Sequence, residues 1–598
     1  MRLTLTALLL LGSSLCALPL QAQVPEPTQT TATASARLER IGERYFEAGL
    51  RLNPIAGSMM LGEPRFDALL GNDLSPRHLA QDRALQKGLL RELKTLNEAG
   101  LSPDQRLSLQ LLRLQAQNRL DGMAFPSELM PINQYGGAPV QLAEFAGGQS
   151  AQPLLTVKNY QDFLKRLEQL PAWNAQAIAN MRSGVARGVV LPRPLIERAL
   201  ETLQALTVGP VEQHPYYRPI LNMPASFSAA QRKQLSSTYR TAIEQRLQPS
   251  VKALADFIRS DYLPNGRATA GLSALPNGKA WYAYSVRLHT TTALTPEAIH
   301  ALGLAEVARI RGEMEQLKAQ AGFDGPLAEF LARQALSQET RPFKTKQDVL
   351  AAYEVINRRV QAELPRLFKR APKAALEIRA EPELTRATAS DHYAGPTPDG
   401  KRPGVFYAVI MDPQQYASTG MSSLFLHEGQ PGHHFHIALQ QELPLPRFRK
   451  YDWITAYGEG WALYAETLGH QMGLYQEPNA YLGHLSADLL RAVRLVTDTG
   501  LHALGWSREQ SIRYMMDTEG VTEQEARRAT ERYMADPGQA LGYKIGALKI
   551  RQLRDQAQAR LGERFSYADF HEQILSDGAL PLDLLETKMT RWLATQTP

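Results

Sequence analysis

Four of the chain's thirteen histidines fall between His427 and His436, and a glutamate follows the first of them, in the run His427-Glu428-Gly429-Gln430-Pro431-Gly432-His433-His434. Imidazoles and a carboxylate are the side chains that hold a transition metal and move a proton near neutral pH. In the HExxH pattern two histidines four residues apart share a helix face, so both reach one ion while the glutamate handles a water. Here the position four after His427 is Pro431, which has no ligand atom.

On an unbroken helix His433 would sit about 240° around and about 9 Å along from His427. One zinc, with bonds to imidazole of about 2.0 to 2.1 Å, could not span that. Pro431, however, lacks a backbone donor, and its ring would clash with the carbonyl of His427. The sequence therefore predicts a widened turn that returns a later histidine to the face of His427. His433 needs the smaller distortion and is favoured; His434, nearly in line with His427 but about 10.5 Å along a regular helix, is the alternative.

A third ligand is expected from Tyr457-Gly458-Glu459-Gly460-Trp461-Ala462. Glu459 and Glu466 share a helix face among apolar and small residues, and a carboxylate in such surroundings is rarely left unpaired. Glu459 is read as the ligand, and Glu466 as a partner for an imidazole N–H. With one zinc ion bound, Glu428 would act as general base toward a water.

Farther along, Arg491, Arg494, Asp498 and His502 form a polar stripe on an otherwise apolar helix. An arginine there could hold a substrate carboxylate, Asp498 could orient a histidine ligand, and His502 is counted with the candidate catalytic groups. Tyr543, in Gly542-Tyr543-Lys544-Ile545-Gly546 ahead of a helix, is a candidate oxyanion donor.

The elements around these residues read as mainly α. Apolar residues recur at three- and four-residue spacing in Asp104 to Leu120, Val157 to Leu170 and Ala229 to Leu247. Prolines, Pro249 among them, punctuate the series. Thr295-Pro296 opens a second helical series. Leu376 to Arg379 and Val405 to Ile410 favour strands, predicting a small sheet just before the histidine cluster, and Phe406 to Ile410 could bind peptide backbone as an added strand.

Residues 1–22 read as a signal peptide: Arg2, then the apolar run Leu3 to Leu11, then a cleavage site at Leu20-Gln21-Ala22. Residues 23–34 read as a flexible segment, 35–275 as a helical N-terminal region and 276–598 as the region carrying the metal motif. Cleavage after Ala22 removes Cys16, the only cysteine, and with it any thiolate chemistry. Leu15 before Cys16 disfavours lipid anchoring there, so export to a bacterial periplasm is expected. The formal charge of +6 is not gathered into a basic run, which excludes a nucleic-acid partner. No membrane span is predicted.

Four motifs in order, HEGxPGHH at His427 to His434, EGWAxYxE at Glu459 to Glu466, DTGxHxxGW at Asp498 to Trp506, and Gly542 to Gly546, resemble the bacterial domain of unknown function 885 family. The resemblance runs from about Ser35 to the C-terminus. It implies a mostly helical, often exported protein with suspected metallopeptidase activity. The pattern is also distantly similar to thimet oligopeptidase and carboxypeptidase Taq, whose ligand and base roles map onto His427, Glu428 and Glu459. Together these features predict zinc-dependent hydrolysis of short peptides; a non-catalytic helical binding protein, or a hydrolase of another amide or ester, are the competing readings.

Overall fold

The computed structural model describes residues 33–147, 152–383, 386, 389–397 and 402–596. The expected signal peptide, Cys16 and the 23–34 segment apart from Thr33 and Ala34 lie outside them. The fold is mainly helical with one small sheet. Two of the predicted N-terminal helices appear as Pro103–Gly122 and Val157–Leu167. The third, Ala229–Ala242, runs past Pro249 instead of stopping there, because a wide π-type turn at Ile243–Leu247 joins it to Gln248–Phe257. Among the described residues no helix is long and apolar enough to cross a membrane.

The elements that position the site are numbered here from α1 (Gly278–Thr290) and α2 (Pro296–Gln320), whose Thr295 cap accepts the Ala298 N–H. Helix α3 (Lys346–Leu367) precedes strands β1 (Leu376–Ala380), β2 (His392–Ala394) and β3 (Gly404–Ala408). Then come α4 (Met421–Glu428), α5 (His433–Glu442), α6 (Thr455–Thr467), α7 (Pro478–His502) and α8 (Leu541–Leu561).

Strand β3 is central: β1 pairs with it in parallel, Leu376 opposite Gly404, and β2 antiparallel, Tyr393 opposite Phe406. Both edges of β3 are thus taken, so this run cannot accept a peptide as an added strand, contrary to the sequence expectation. Its buried face instead supports α4, with the Phe406 and Phe425 rings 6.3 Å apart. The predicted sheet does stand beside the histidine helix.

Two apolar clusters fill the interior, and each draws on both sides of residue 275. One joins Leu38, Leu93 and Leu112 to Phe425 and Trp461; the other joins Phe163 and Leu254 to Val493 and Met515. Regions 35–275 and 276–598 therefore do not have separate cores.

Helices α6 and α8 approach almost backbone to backbone. A Cβ on Gly460 would stand 2.5 Å from Cα of Gly546, and one on Gly546 would stand 1.8 Å from the Ala456 carbonyl oxygen. Gly542 to Gly546 lies within the first turns of α8, not ahead of it. Since Glu459 adjoins Gly460, this contact fixes where its carboxylate points. Gly546→Ala should destabilise the protein by about 1–3 kcal/mol or more through overpacking, read as a lowered thermal midpoint; an unchanged midpoint would contradict the close packing.

Candidate metal centre

Helix α4 ends at Glu428 and α5 begins at His433, so the chain breaks the helix outright where the sequence predicted a widened turn. The cause lies in the four residues between. Pro431 cannot continue the ladder, and Gly432 lies so close to the end of α4 that a Cβ there would meet the His427 carbonyl oxygen at 2.0 Å. The loop is held from outside: Trp461 Nε1–H donates to the Pro431 carbonyl at 2.8 Å, and the Gln430 side-chain amide donates to Asn357 Oδ1 at 2.7 Å. Starting a new helix at His433 restores what the broken spacing removed.

The break brings His427, His433 and Glu459 together, with one donor atom from each lying within 4.8 Å of the others. Glu459 Oε2 stands 3.6 Å from His427 Nε2 and 3.5 Å from His433 Nε2, and this buried oxygen has no hydrogen-bond partner. Tetrahedral zinc with bonds of about 2.0 to 2.2 Å needs donors roughly 3.3 to 3.5 Å apart. The donor set and spacing fit such an ion. Glu428 Oε2 borders the cluster, 4.0 Å from His433 Nε2.

Glu466 accepts a hydrogen bond from Nδ1 of His427 at 2.8 Å, which leaves Nε2 turned toward Glu459. Ser423 Oγ donates to the other carboxylate oxygen, and Arg491 Nη2 lies 3.5 Å from the first. Burial opposes charge on His427, but Glu459 and Glu466 outweigh it and push the imidazole up to about 9. Burial likewise opposes charge on Glu459, and the two imidazoles overcome it, holding the carboxyl well below its usual range.

His434 turns the other way. Its Nδ1 pairs with the Tyr393 hydroxyl at 2.9 Å, on β2, and burial lowers the ring to about 4. The structure thus places His433, not His434, at the cluster.

A family model for bacterial proteins of unknown function (DUF885) matches residues 57–589. This chain belongs to that family. Its fold is also that of a candidate lipoprotein from Colwellia psychrerythraea, at TM-score 0.87 and 28% identity, over 94% of this chain and all of that one. A second candidate lipoprotein, of unknown function, from Shewanella oneidensis, aligns at TM-score 0.72 and 18% identity over 92% and 99% of the two chains. A carboxypeptidase from Pyrococcus furiosus aligns at TM-score 0.39 and 11% identity over 94% and 98%, too low to carry any argument. No curated protein matches.

Elsewhere in this DUF885 chain the predicted residues divide. The Tyr543 ring stacks on His427, centroids 6.3 Å apart and 13° from parallel, and Arg494 Cζ lies over the same ring, 4.5 Å from its centroid. Arg491 stands behind the cluster, its Nη2 3.5 Å from a carboxylate oxygen of Glu466. Asp498 orients no histidine ligand: its Oδ1 accepts the Tyr282 hydroxyl at 2.6 Å and the Gly538 N–H at 3.1 Å. His502 has no free nitrogen, since Nδ1 accepts the Leu272 N–H and Nε2 donates to the Tyr533 carbonyl, both at 2.9 Å. Both residues tie the end of α7 to neighbouring chain segments, and His502 is not available for catalysis.

Ser423, Trp461 and Tyr393 went unread in the sequence. Ser423 had a signal, being four residues before His427 on the same helix face; the other two act through folding partners that spacing does not reveal.

Burial pushes the Asp498 carboxyl up to about 7, against the hydrogen bonds from Tyr282 and Gly538. A raised carboxyl makes the folded state bind the extra proton, so its stabilising contribution is complete below about pH 4 and is lost as pH rises to about 7. Asp498→Asn keeps an acceptor for both donors and cannot ionise. The stability of this variant relative to wild type should therefore climb by a few kcal/mol between pH 4 and 7 and then level; a difference that is flat with pH, measured by denaturant unfolding, would contradict the assignment.

Proposed function

We propose that this DUF885 member is a zinc-dependent peptidase acting on short peptides, with the metal held by His427, His433 and Glu459. The observation that carries the reading is the buried, unpartnered Oε2 of Glu459 facing two imidazole nitrogens at 3.5 and 3.6 Å. A buried carboxylate oxygen in that position calls for a cation. Zinc bound by two histidines and a glutamate supplies Lewis acidity to a water and to a peptide carbonyl.

The chain's own residues do the rest. Glu428, next to His427 and beside His433, takes the proton from the attacking water and returns it to the leaving amine. Glu466 holds Nδ1–H of His427 so that Nε2 keeps its lone pair for the ion. The Tyr543 hydroxyl, on the ring stacked against His427, donates to the developing oxyanion. A structural metal site would have no use for Glu428, which favours an enzyme over a binding protein.

The reading includes export through the apolar N-terminal run and removal of residues 1–22. The description of both close-folded neighbours as candidate lipoproteins makes acylation at Cys16 the competing outcome for the periplasmic protein.

Metal content after dialysis tests the site. His427→Ala, His433→Ala and Glu459→Ala should each lose most bound zinc, while His434→Ala retains it; unchanged zinc in the first three would sink the reading. Glu428→Gln should keep its zinc and lose cleavage of a mixed peptide library by roughly 10²- to 10⁴-fold, the range for a general acid–base group. Equal cleavage by Glu428→Gln and wild type, seen as the same new termini by mass spectrometry, would remove Glu428 from the mechanism.

A further inference from the structure

Arg494 lies on α7 one turn beyond Arg491 and is buried. Its guanidinium is always charged, yet its Nε and Nη1 have no hydrogen-bond partner, and among the described residues no carboxylate pairs with it. Its partners are the Tyr533 hydroxyl, by a hydrogen bond, and the face of the Tyr543 ring, while Glu459 and Glu519 act on it only through space. Burial pushes the Glu519 carboxyl up to about 7. Leaving a buried charged donor unmatched costs more than the 1–3 kcal/mol of a neutral one. Such a group in a native structure calls for a reason, and a role in binding or catalysis is one. Arg491 Nε is also unpartnered, but Arg491 is already committed to Glu466.

The position relative to the metal cluster narrows the ligand. From the His427 ring to the Tyr543 ring is 6.3 Å, and from there to the guanidinium 4.5 Å. Extended peptide covers about 3.3–3.6 Å per residue. These two steps set an upper limit, so a carboxylate paired with Arg494 would sit within about three residues of a carbonyl held beside His427. The rigid fork of an arginine matches the two oxygens of a carboxylate.

We propose that Arg494 receives a substrate carboxylate, and that this is the free C-terminus of the peptide, within about three residues of the bond cleaved. The protein then trims peptides from their carboxyl ends. This rests on the peptidase reading above and names its substrate class.

The test compares peptides of one sequence ending in a free acid, in a neutral amide, and in an amide with aspartate as the last residue. They are assayed as substrates of zinc-loaded wild type, Arg494→Met and Arg494→Lys, and as ligands of Glu428→Gln by calorimetry. Wild type should favour the free acid over both amides by on the order of a hundredfold in kcat/KM, as expected for losing charge-assisted hydrogen bonds. Arg494→Met should erase that preference, and Arg494→Lys restore part of it. Equal handling of acid and neutral amide by wild type overturns the proposal, as does a preference that survives in a folded Arg494→Met. An aspartyl amide cleaved as fast as the acid overturns the C-terminal assignment by moving the carboxylate to a side chain. The wild-type comparison needs no variant, so misfolding of Arg494→Met does not affect the result. If wild type cleaves none of the peptides, the peptidase reading fails for this substrate class; calorimetry still decides the role of the arginine, and acid bound no tighter than amide overturns it.

Discussion

Two carboxylates on one face of a fully buried helix set the terms for everything around them. Every residue of α6 from Thr455 to Glu466 is buried, Glu459 and Glu466 included. Removing a carboxylate from water costs several kcal/mol unless charge and hydrogen bonds offset it. Glu466 is fully compensated, by His427, Ser423 and Arg491, which arrive on two other helices. Glu459 is offset only by the two imidazoles, and its Oε2, 3.6 Å from His427 Nε2 and 3.5 Å from His433 Nε2, has no hydrogen-bond partner. That asymmetry supports the proposed metal, since in a buried ion pair both carboxylates would be satisfied by protein groups alone.

The neighbouring elements serve this arrangement. α6 can offer its carboxylates at a fixed depth because Gly460 and Gly546 let α8 approach without side chains between them. The same α8 contact carries Tyr543 to the face of His427. On the other side, Trp461 of α6 grips the Pro431 carbonyl, so the helix that provides Glu459 also anchors the loop that repositions His433. Glu459 and the loop are tied to one helix, which keeps the three clustered side chains in register more firmly than a loop alone would.

Much of this was legible in the sequence, and what was not has physical reasons. Helical periodicity identified the main helices, and the β-favouring runs located the sheet, because both depend on local patterns. His427 and Glu459 followed from residue type and spacing, and the position of Pro431 favoured His433 while leaving His434 as the alternative. The manner of the rearrangement did not follow: proline forbids the regular turn, but only contacts from Asn357 and Trp461, distant in sequence, select a full break. Likewise a run such as Val405 to Ile410 announces a strand without announcing its neighbours, and the neighbours on both sides of β3 remove the role in peptide binding that an edge would permit.

The stripe on α7 shows the same limit most clearly. Spacing placed Arg491, Arg494, Asp498 and His502 on one face, and all four do point inward, but a helix of this length meets different neighbours along its course. Near Arg491 that face meets the carboxylate behind His427; one turn on, at Arg494, it meets the Tyr543 ring; at Asp498 and His502 it meets backbone N–H and carbonyl groups of segments that would otherwise be buried unpaired. Those last two side chains satisfy main-chain groups at positions 272, 533 and 538, a demand as strict as any ligand's, since each orphaned buried group costs about 1–3 kcal/mol. A polar stripe on a buried helix therefore marks where polar partners must exist. Whether the partner is a carboxylate, an aromatic ring or the protein's own backbone is decided turn by turn, by what the fold sets opposite.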